Sequence, residues 1–173
     1  DVFRRFGDAA AVAGTRISIE PNPAAYGTNF LNRIAEAEAF IEAGADFLIS
    51  PFFDQSIADV AYLHKKLWIP GCMTSTEIHQ AELAGCDLIK LFPGNVLGQG
   101  FVTAIKPLFP SLSFLVTGGV ETSKENLTAW FKAGVVGVGM GSKLMSEEVL
   151  ASKNYAAIET QTAKALAIIA SLN

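Results

Sequence analysis

The sequence is poor in the residues that mark disulfide-linked, metal-binding and nucleic-acid-binding proteins. It has 2 cysteines and 2 histidines, and their spacing matches no metal site. Its 13 Lys and Arg against 17 Asp and Glu form no basic stripe, which argues against nucleic acid as a partner. No apolar run approaches the ~20 residues that cross a bilayer, and no signal-peptide pattern is present. We therefore expect a cytoplasmic protein without a bound metal and without a membrane partner.

The composition is that of a folded domain with a large core. Half of the residues are apolar and 17% are charged, which argues against disorder. A chain of 173 residues suits one domain, which we expect to span 1–173. The sequence opens at Asp1 without an initiator methionine, which suggests a missing N-terminal piece.

A repeated junction organises the sequence: an Ala-Gly dipeptide ends a helix, and a short apolar strand follows. The junction occurs at 43–44, 84–85 and 133–134, where glycine suits the left-handed residue after a helix. Strands that are apolar throughout are typical of parallel strands buried on both faces. We predict strands over 24–27, 46–50, 67–69, 87–91, 113–116 and 135–138. We predict helices over 2–11, 33–41, 56–66, 76–83, 100–108, 123–132 and 155–172.

Strict alternation of strands and helices predicts an α/β fold, either a doubly wound sheet or a closed barrel. A (β/α)8 TIM barrel has eight units and typically about 250 residues. The strands counted from residue 24 therefore predict a TIM barrel that lacks or truncates its N-terminal strands. Residues 16–20 are interpreted as a helix end or a loop. Only 21–23 separate them from the strand at 24–27, whereas a parallel crossover needs about 10–12 residues.

Lys90 lies near the end of an apolar strand, in Leu88-Ile89-Lys90-Leu91-Phe92. A buried lysine is costly unless it is neutral, paired or functional. A neutral amine is a nucleophile, and its attack on a ketone forms an iminium that lets a nearby C–C bond break. The competing interpretation is a lysine whose stem extends to solvent, and the strand by itself leaves both open.

Glycine-rich segments end the last two predicted strands, at Thr117-Gly118-Gly119-Val120 and Gly139-Met140-Gly141-Ser142. In a TIM barrel, functional groups lie at the carboxyl ends of the strands, and phosphate sites commonly follow the last two. Backbone N–H groups at such turns and at helix starts bind anions. Two such segments favour a phosphate site, although a tight turn alone would also use glycine.

Four motifs occur together and in order, within a resemblance that covers roughly residues 24–172. They are Trp68-Ile69-Pro70-Gly71-Cys72-Met73-Thr74, Ile89-Lys90-Leu91-Phe92-Pro93-Gly94 and the two glycine-rich segments. With them, the sequence resembles the class I 2-keto-3-deoxy-6-phosphogluconate/4-hydroxy-2-oxoglutarate (KDPG/KHG) aldolase family. The upstream segments 27–28 and 43–51 fit the same family.

The resemblance implies a homotrimeric TIM barrel of Entner–Doudoroff carbohydrate metabolism, without metal or organic cofactor. The implied reaction cleaves KDPG, KHG or both to pyruvate and an aldehyde, which is glyceraldehyde 3-phosphate or glyoxylate. Lys90 would form a Schiff base with this small, phosphorylated 2-oxo acid. The other implied site residues are Thr28 at the carboxylate, Pro51 and Thr74 near the substrate, Phe92 as a pocket wall, and Gly118, Gly119, Gly141 and Ser142 at the phosphate.

The sequence departs from the family at the general acid/base. The family carries a glutamate, closely followed by an arginine, on its second strand, and no Glu-x-Thr-x-Arg segment occurs here. Glu20 is the upstream candidate, so the strand is either absent from this chain or replaced at Glu20. Two other functions stay open: a sugar-phosphate-binding barrel of isomerase or synthase type, and a trimeric barrel impaired in catalysis.

Overall fold

A computed structural model gives the fold of residues 44–172, together with Val12, Ser18–Ile19, Glu38 and Ile41–Glu42. The chain divides into two compact units, residues 1–90 and residues 91–173, here called unit 1 and unit 2. None of the helices in this described part is long and apolar enough to cross a membrane.

Unit 1 alternates short parallel strands with helices. Its elements in chain order are strand β1 (Ser18–Ile19), strand β2 (Phe47–Ile49), helix α1 (Gln55–Leu63), strand β3 (Leu67–Ile69), strand β4 (Gly71–Cys72), helix α2 (Ser75–Leu83) and strand β5 (Leu88–Leu91), whose last residue begins unit 2. The first sheet has the order β1-β2-β3, and β4 lies beside β5. In the first sheet, Leu48 lies opposite Ile19 on one side and opposite Trp68 on the other.

The core of unit 1 is formed by the apolar runs of its strands and one face of each helix. Leu48, Trp68 and Ile89 are buried on the strands, while Ile57 and Ile78 are buried on α1 and α2. Burial of such side chains stabilises the unit by roughly 1.5–3 kcal/mol each. These contacts hold the carboxyl ends of the strands in place, where the predicted site residues lie.

Unit 2 continues the same alternation. Its elements are helix α3 (Gly94–Ile105), a short 3₁₀ helix (Lys106–Leu108), strand β6 (Ser113–Thr117), helix α4 (Lys124–Ala133), strand β7 (Gly137–Gly139), helix α5 (Glu147–Ala151) and helix α6 (Tyr155–Ala170). Strands β6 and β7 pair in parallel, with Thr117 opposite Gly139 at their carboxyl ends. Phe114, Leu127 and Trp130 form the buried core beneath them.

Most of the predicted elements are confirmed within two residues of their predicted bounds. Strand β7 meets this criterion, at Gly137–Gly139 against 135–138, whereas helix α1 ends at Leu63, three residues before its predicted end at Lys66. Helix α3 begins at Gly94, six residues before its predicted start at Gly100. Glycine is a poor helix former, so Gly94, Gly98 and Gly100 give no sequence signal for this earlier start. The helix is indeed interrupted at Gly98, whose φ of 71° is not helical.

The interpretation of 16–20 as a helix end or a loop is wrong, because Ser18–Ile19 forms strand β1 and pairs in parallel with β2. That interpretation assumed a further strand at 24–27, so close that no parallel crossover could fit. The distance along the chain from β1 to β2, its parallel partner, is 27 residues (20–46), which is long enough for a parallel crossover. The predicted strand 24–27, the predicted helix 2–11 and most of the predicted helix 33–41 lie outside the described residues.

Candidate functional site

Lys90 lies in β5 among apolar neighbours and is 2% exposed. The adjacent Ile89 and Leu91 are fully buried, and the Lys90 backbone N–H donates to the Pro70 carbonyl at 2.9 Å. The interpretation of Lys90 as a solvent-directed surface lysine is therefore wrong. The structure shows a lysine side chain buried within strand β5.

Ser50, at the end of β2, organises the loop that carries Pro51. Its hydroxyl is fully buried, accepts a hydrogen bond from the Trp68 indole N–H at 3.0 Å and donates to the Phe52 carbonyl at 2.7 Å. The Phe53 ring lies against Trp68 with a centroid separation of 5.6 Å. Sequence reasoning did not assign this role to Ser50. The sequence signal for this role was a hydroxyl residue placed between an apolar strand and a proline.

Gly71 lets β4 pass directly against this loop. A Cβ atom at Gly71 would lie 2.2 Å from the carbonyl carbon and 2.3 Å from the oxygen of Pro51. No side chain fits at that distance, so glycine is required by close approach. Pro51 is half-buried at this contact. The carboxyl end of β2 and the start of β4 are thereby held together.

Thr74 is exposed and caps helix α2 through a reciprocal capping box with Glu77. Its hydroxyl accepts from the Glu77 backbone N–H at 3.3 Å, and the Glu77 carboxylate accepts from the N–H groups of Met73 and Thr74, each at 2.8 Å. Partial burial opposes ionisation, but these hydrogen bonds outweigh it and lower the pKa of Glu77. The predicted contact of Thr74 with substrate stays a prediction.

The two cysteines are buried thiols in the same unit as Lys90. Burial raises the pKa of Cys72 to about 12, with further contributions from the charges of Glu77 and Cys86. Burial, followed by the charge of Asp87, raises the pKa of Cys86 to about 11. Both thiols are therefore protonated near neutral pH, which disfavours them as nucleophiles.

In unit 2, the turn after β6 has two successive left-handed residues, Gly118 with φ 88° and Gly119 with φ 72°. Asn95 packs against this turn so closely that a Cβ on Gly119 would lie 2.8 Å from the Asn95 Cβ. On another side, the Asn126 Nδ2 donates to the Gly119 carbonyl at 3.2 Å. Only glycine combines this backbone conformation with this packing.

The loop after β7 lies at the same edge of the unit, because β6 and β7 are parallel neighbours. Gly141 and Ser142 are exposed in this loop, and the Gly141 carbonyl accepts from Leu144 and Met145, each at 2.9 Å. Lys143 Nζ lies 3.6 Å from the Glu121 carboxylate, which links the two glycine-containing loops. The four glycine and serine positions predicted to bind phosphate are thus brought to one edge of unit 2.

Three candidate residues remain, and the structure describes one of them. Phe92 is half-buried and follows β5 at the start of unit 2. Thr28 and the acid/base candidate Glu20 lie outside the described residues. Among the residues that the structure describes, no group of three or more His, Cys, Asp and Glu side chains is arranged to hold a metal ion.

Comparison with known proteins gives the family. A family model described as KDPG and KHG aldolase matches residues 13–161. The chain belongs to the KDPG and KHG aldolase family. The resemblance inferred from the sequence motifs is therefore confirmed.

Individual aldolases of this family share moderate sequence identity with the chain. The 2-dehydro-3-deoxy-6-phosphogalactonate aldolase of Escherichia coli (strain K12) is 32% identical over 110 residues, which are 63% of this chain and 53% of that protein. The 2-dehydro-3-deoxy-phosphogluconate aldolase of Treponema pallidum (strain Nichols) is 26% identical over 168 residues, 96% of this chain and 78% of that protein. The chain thus spans about half the length of the first relative.

A solved structure of a 4-hydroxy-2-oxoglutarate/2-dehydro-3-deoxyphosphogluconate aldolase resembles the chain with a TM-score of 0.76 at 27% identity. The match covers 96% of this chain and 75% of that aldolase. The predicted fold class, an α/β fold of the TIM-barrel type, is confirmed by this likeness and by the parallel pairing of the strands.

Proposed function

We propose that this chain carries the Schiff-base lysine of a class I aldolase that cleaves a 4-hydroxy-2-oxo acid to pyruvate and an aldehyde. One observation carries the proposal: the Lys90 amine is buried in an apolar strand of a chain that belongs to the KDPG and KHG aldolase family. The phosphorylated six-carbon acids give glyceraldehyde 3-phosphate, and 4-hydroxy-2-oxoglutarate gives glyoxylate. Relatives are named for both the gluconate and the galactonate series.

The reaction follows from the chemistry of an amine and a ketone. The Lys90 nitrogen attacks C2 of the substrate, and loss of water gives an iminium. A base removes the proton of the C4 hydroxyl, the C3–C4 bond breaks, and its electron pair moves into an enamine at C2–C3. The aldehyde leaves, the enamine takes a proton at C3, and water hydrolyses the iminium to release pyruvate and the lysine. In this chain Glu20 is the proposed base.

The proposed binding contacts divide by the part of the substrate that they hold. We assign Thr28, Pro51, Thr74 and Phe92 to the pyruvyl part. We assign Gly118, Gly119, Gly141 and Ser142 to the distal phosphate. The left-handed conformation of Gly118 and Gly119 supports the second assignment, because such turns direct backbone N–H groups towards an anion. We also propose that the protein is a homotrimer in the cytoplasm.

The test is to trap the imine in the full-length protein with pyruvate and borohydride. We expect the mass of a reduced pyruvyl group on the peptide that contains Lys90, and no such addition in Lys90→Met. Lys124→Met, which removes an exposed lysine at the start of α4, is the matched control and should still be labelled at Lys90.

Two outcomes would overturn the proposal. An unlabelled Lys90 in a folded protein that turns over a carbonyl substrate would favour the isomerase or synthase type of barrel. An unlabelled Lys90 in a folded trimer without turnover would favour the catalytically impaired barrel.

A further inference from the structure

We propose that Asn126 is a positioning residue for the substrate phosphate, because its carboxamide sets the direction of two successive peptide groups in the turn after β6. The inference rests on the proposed function, since it assumes that the turn of Gly118 and Gly119 binds phosphate, with the N–H of the following Val120 among its donors. It adds a residue that does not contact the substrate and that the sequence motifs do not include.

The carboxamide of Asn126 bridges the two ends of the turn. Its Nδ2 donates to the Gly119 carbonyl at 3.2 Å, and its Oδ1 accepts from the Glu121 backbone N–H at 3.0 Å. A carbonyl can only accept and an N–H can only donate, so these two partners fix which end of the amide faces which group. A carboxylate in this place could not donate to the Gly119 carbonyl.

Helix α4 holds the Asn126 side chain in position for this role. Asn126 lies in the first turn of the helix, and its own backbone N–H donates to the Ser123 hydroxyl at 3.3 Å. The residue is half-buried between its helix and the turn. Its side chain is therefore anchored on a regular element, whereas the glycine turn has no side chains to anchor itself.

The two hydrogen bonds fix the peptide group that joins Gly119 to Val120 and the one that joins Val120 to Glu121. In a trans peptide the C=O and the N–H point in opposite directions. With the Gly119 carbonyl directed at Asn126, the Val120 N–H must point away from it. With the Glu121 N–H directed at Asn126, the Val120 carbonyl must also point away. Both peptide groups are therefore fixed, although glycine on its own permits other orientations at low cost.

Asn154 is a suitable control residue for Asn126 in the same unit. It also presents a carboxamide at a helix start, where its Oδ1 accepts from the Ala157 N–H at 3.2 Å and caps α6. This bond caps α6 and does not involve the glycine turn. Asn154→Ala therefore removes a helix cap and leaves the turn unchanged, so it measures the effect of losing a cap alone.

The experiment compares Asn126→Ala, Asn126→Asp and Asn154→Ala in the full-length protein. The KM and kcat are measured for the phosphorylated six-carbon substrate and for 4-hydroxy-2-oxoglutarate, which has no phosphate. The affinity for inorganic phosphate is measured by calorimetry, so that the inference is tested even where no imine forms.

We expect both Asn126 variants to raise the KM for the phosphorylated substrate and to weaken phosphate binding about tenfold, as loss of oriented hydrogen bonds does. Asn126→Asp should be at least as damaging as Asn126→Ala, because a carboxylate faces the Gly119 carbonyl oxygen. The KM for 4-hydroxy-2-oxoglutarate and imine formation with pyruvate should stay unchanged, and Asn154→Ala should alter neither KM.

Three results would overturn the inference: unchanged phosphate affinity in the Asn126 variants, an equal rise in KM for both substrates, or no phosphate binding by the unaltered protein. Failure of the proposed function is recognised separately, as absence of a trapped imine at Lys90. A trapped imine with phosphate binding that is indifferent to Asn126 would leave the aldolase proposal standing and remove only this role.

Discussion

Units 1 and 2 present their candidate functional groups in different ways. In unit 1, the groups are side chains: the buried amine of Lys90 and the hydroxyl of Ser50, which is hydrogen-bonded to Trp68. In unit 2, the proposed groups are backbone N–H donors of glycine-containing loops, and the Asn126 side chain hydrogen-bonds to the backbone of one of these loops. The contrast matches two kinds of chemistry, covalent attack by an amine and recognition of an anion.

The difference predicts different responses to substitution. Substitutions in a site made of packed side chains and close backbone contacts should lower the free energy of unfolding strongly. Substitutions in a site made of exposed turns should change the free energy of unfolding little and should weaken ligand binding. The following changes test this contrast in order of decreasing expected effect.

The largest loss of stability is expected for Gly71→Ala in unit 1. The new Cβ would lie 2.2 Å from backbone atoms of Pro51, which cannot rotate away. We expect the free energy of unfolding to fall by about 3 kcal/mol, at the upper end for overpacking, measured by urea denaturation.

Two glycines of unit 2 serve as comparisons for Gly71. Gly141→Ala should be neutral in stability, because no heavy atom lies within 4 Å of the new Cβ. Gly139→Ala should cost less than Gly71→Ala, because its closest contact, at 2.4 Å, is a side-chain methyl of Thr117. Equal losses at Gly71 and Gly141 would contradict the contrast between the units.

A smaller loss is expected for Ser50→Ala, which removes the acceptor of the buried Trp68 N–H. Leaving a buried donor unpaired costs about 1–3 kcal/mol. The measurement is the free energy of unfolding in a double-mutant cycle with Trp68→Phe. The second substitution should cost less in the Ser50→Ala background than in the unaltered protein.

Thr128→Val is the matched change in unit 2. The buried Thr128 hydroxyl has no hydrogen-bond partner in the structure, unlike that of Ser50. Replacing it by a methyl group of similar size should be neutral or stabilising. A loss comparable with that of Ser50→Ala would show that the two buried hydroxyls are equivalent.

The smallest expected effect concerns the capping box of α2, which makes the free energy of unfolding depend on pH. The folded-state pKa of Glu77 is below its ordinary value of 4.5, so ionised Glu77 stabilises the folded protein above that pH. This contribution is lost as the pH falls from about 4.5 through the folded-state pKa. Glu77→Gln should flatten the pH dependence of the unfolding free energy over that acidic range.

Helix α4 of unit 2 provides the comparison for Glu77. It is capped by Ser123, and the residue at the corresponding position is Asn126, which does not titrate. Ser123→Ala should therefore destabilise by about 1 kcal/mol at every pH in the range. A pH-dependent effect of Ser123→Ala would indicate that another titrating group acts on this cap.

Much of the fold was predictable because its signals are local. The Ala-Gly junctions at 84–85 and 133–134 placed the ends of α2 and α4, and apolar runs placed the strands that follow them. The pairing of Ser18–Ile19 with β2 was not predictable in the same way, because it depends on a partner far along the chain. Likewise, nothing in the sequence around Ser50 reveals that its hydroxyl meets the indole of Trp68.

The sequence by itself determined the family, the α/β alternation and the candidate lysine, because each rests on motifs or on the apolar character of short segments. Only the tertiary structure decided that Lys90 is buried, that Gly71 admits no side chain beside Pro51, and that Asn126 hydrogen-bonds to both sides of Val120. These facts depend on contacts between residues that are separated along the chain. Such contacts are set by packing and hydrogen-bond geometry, which local sequence patterns do not encode.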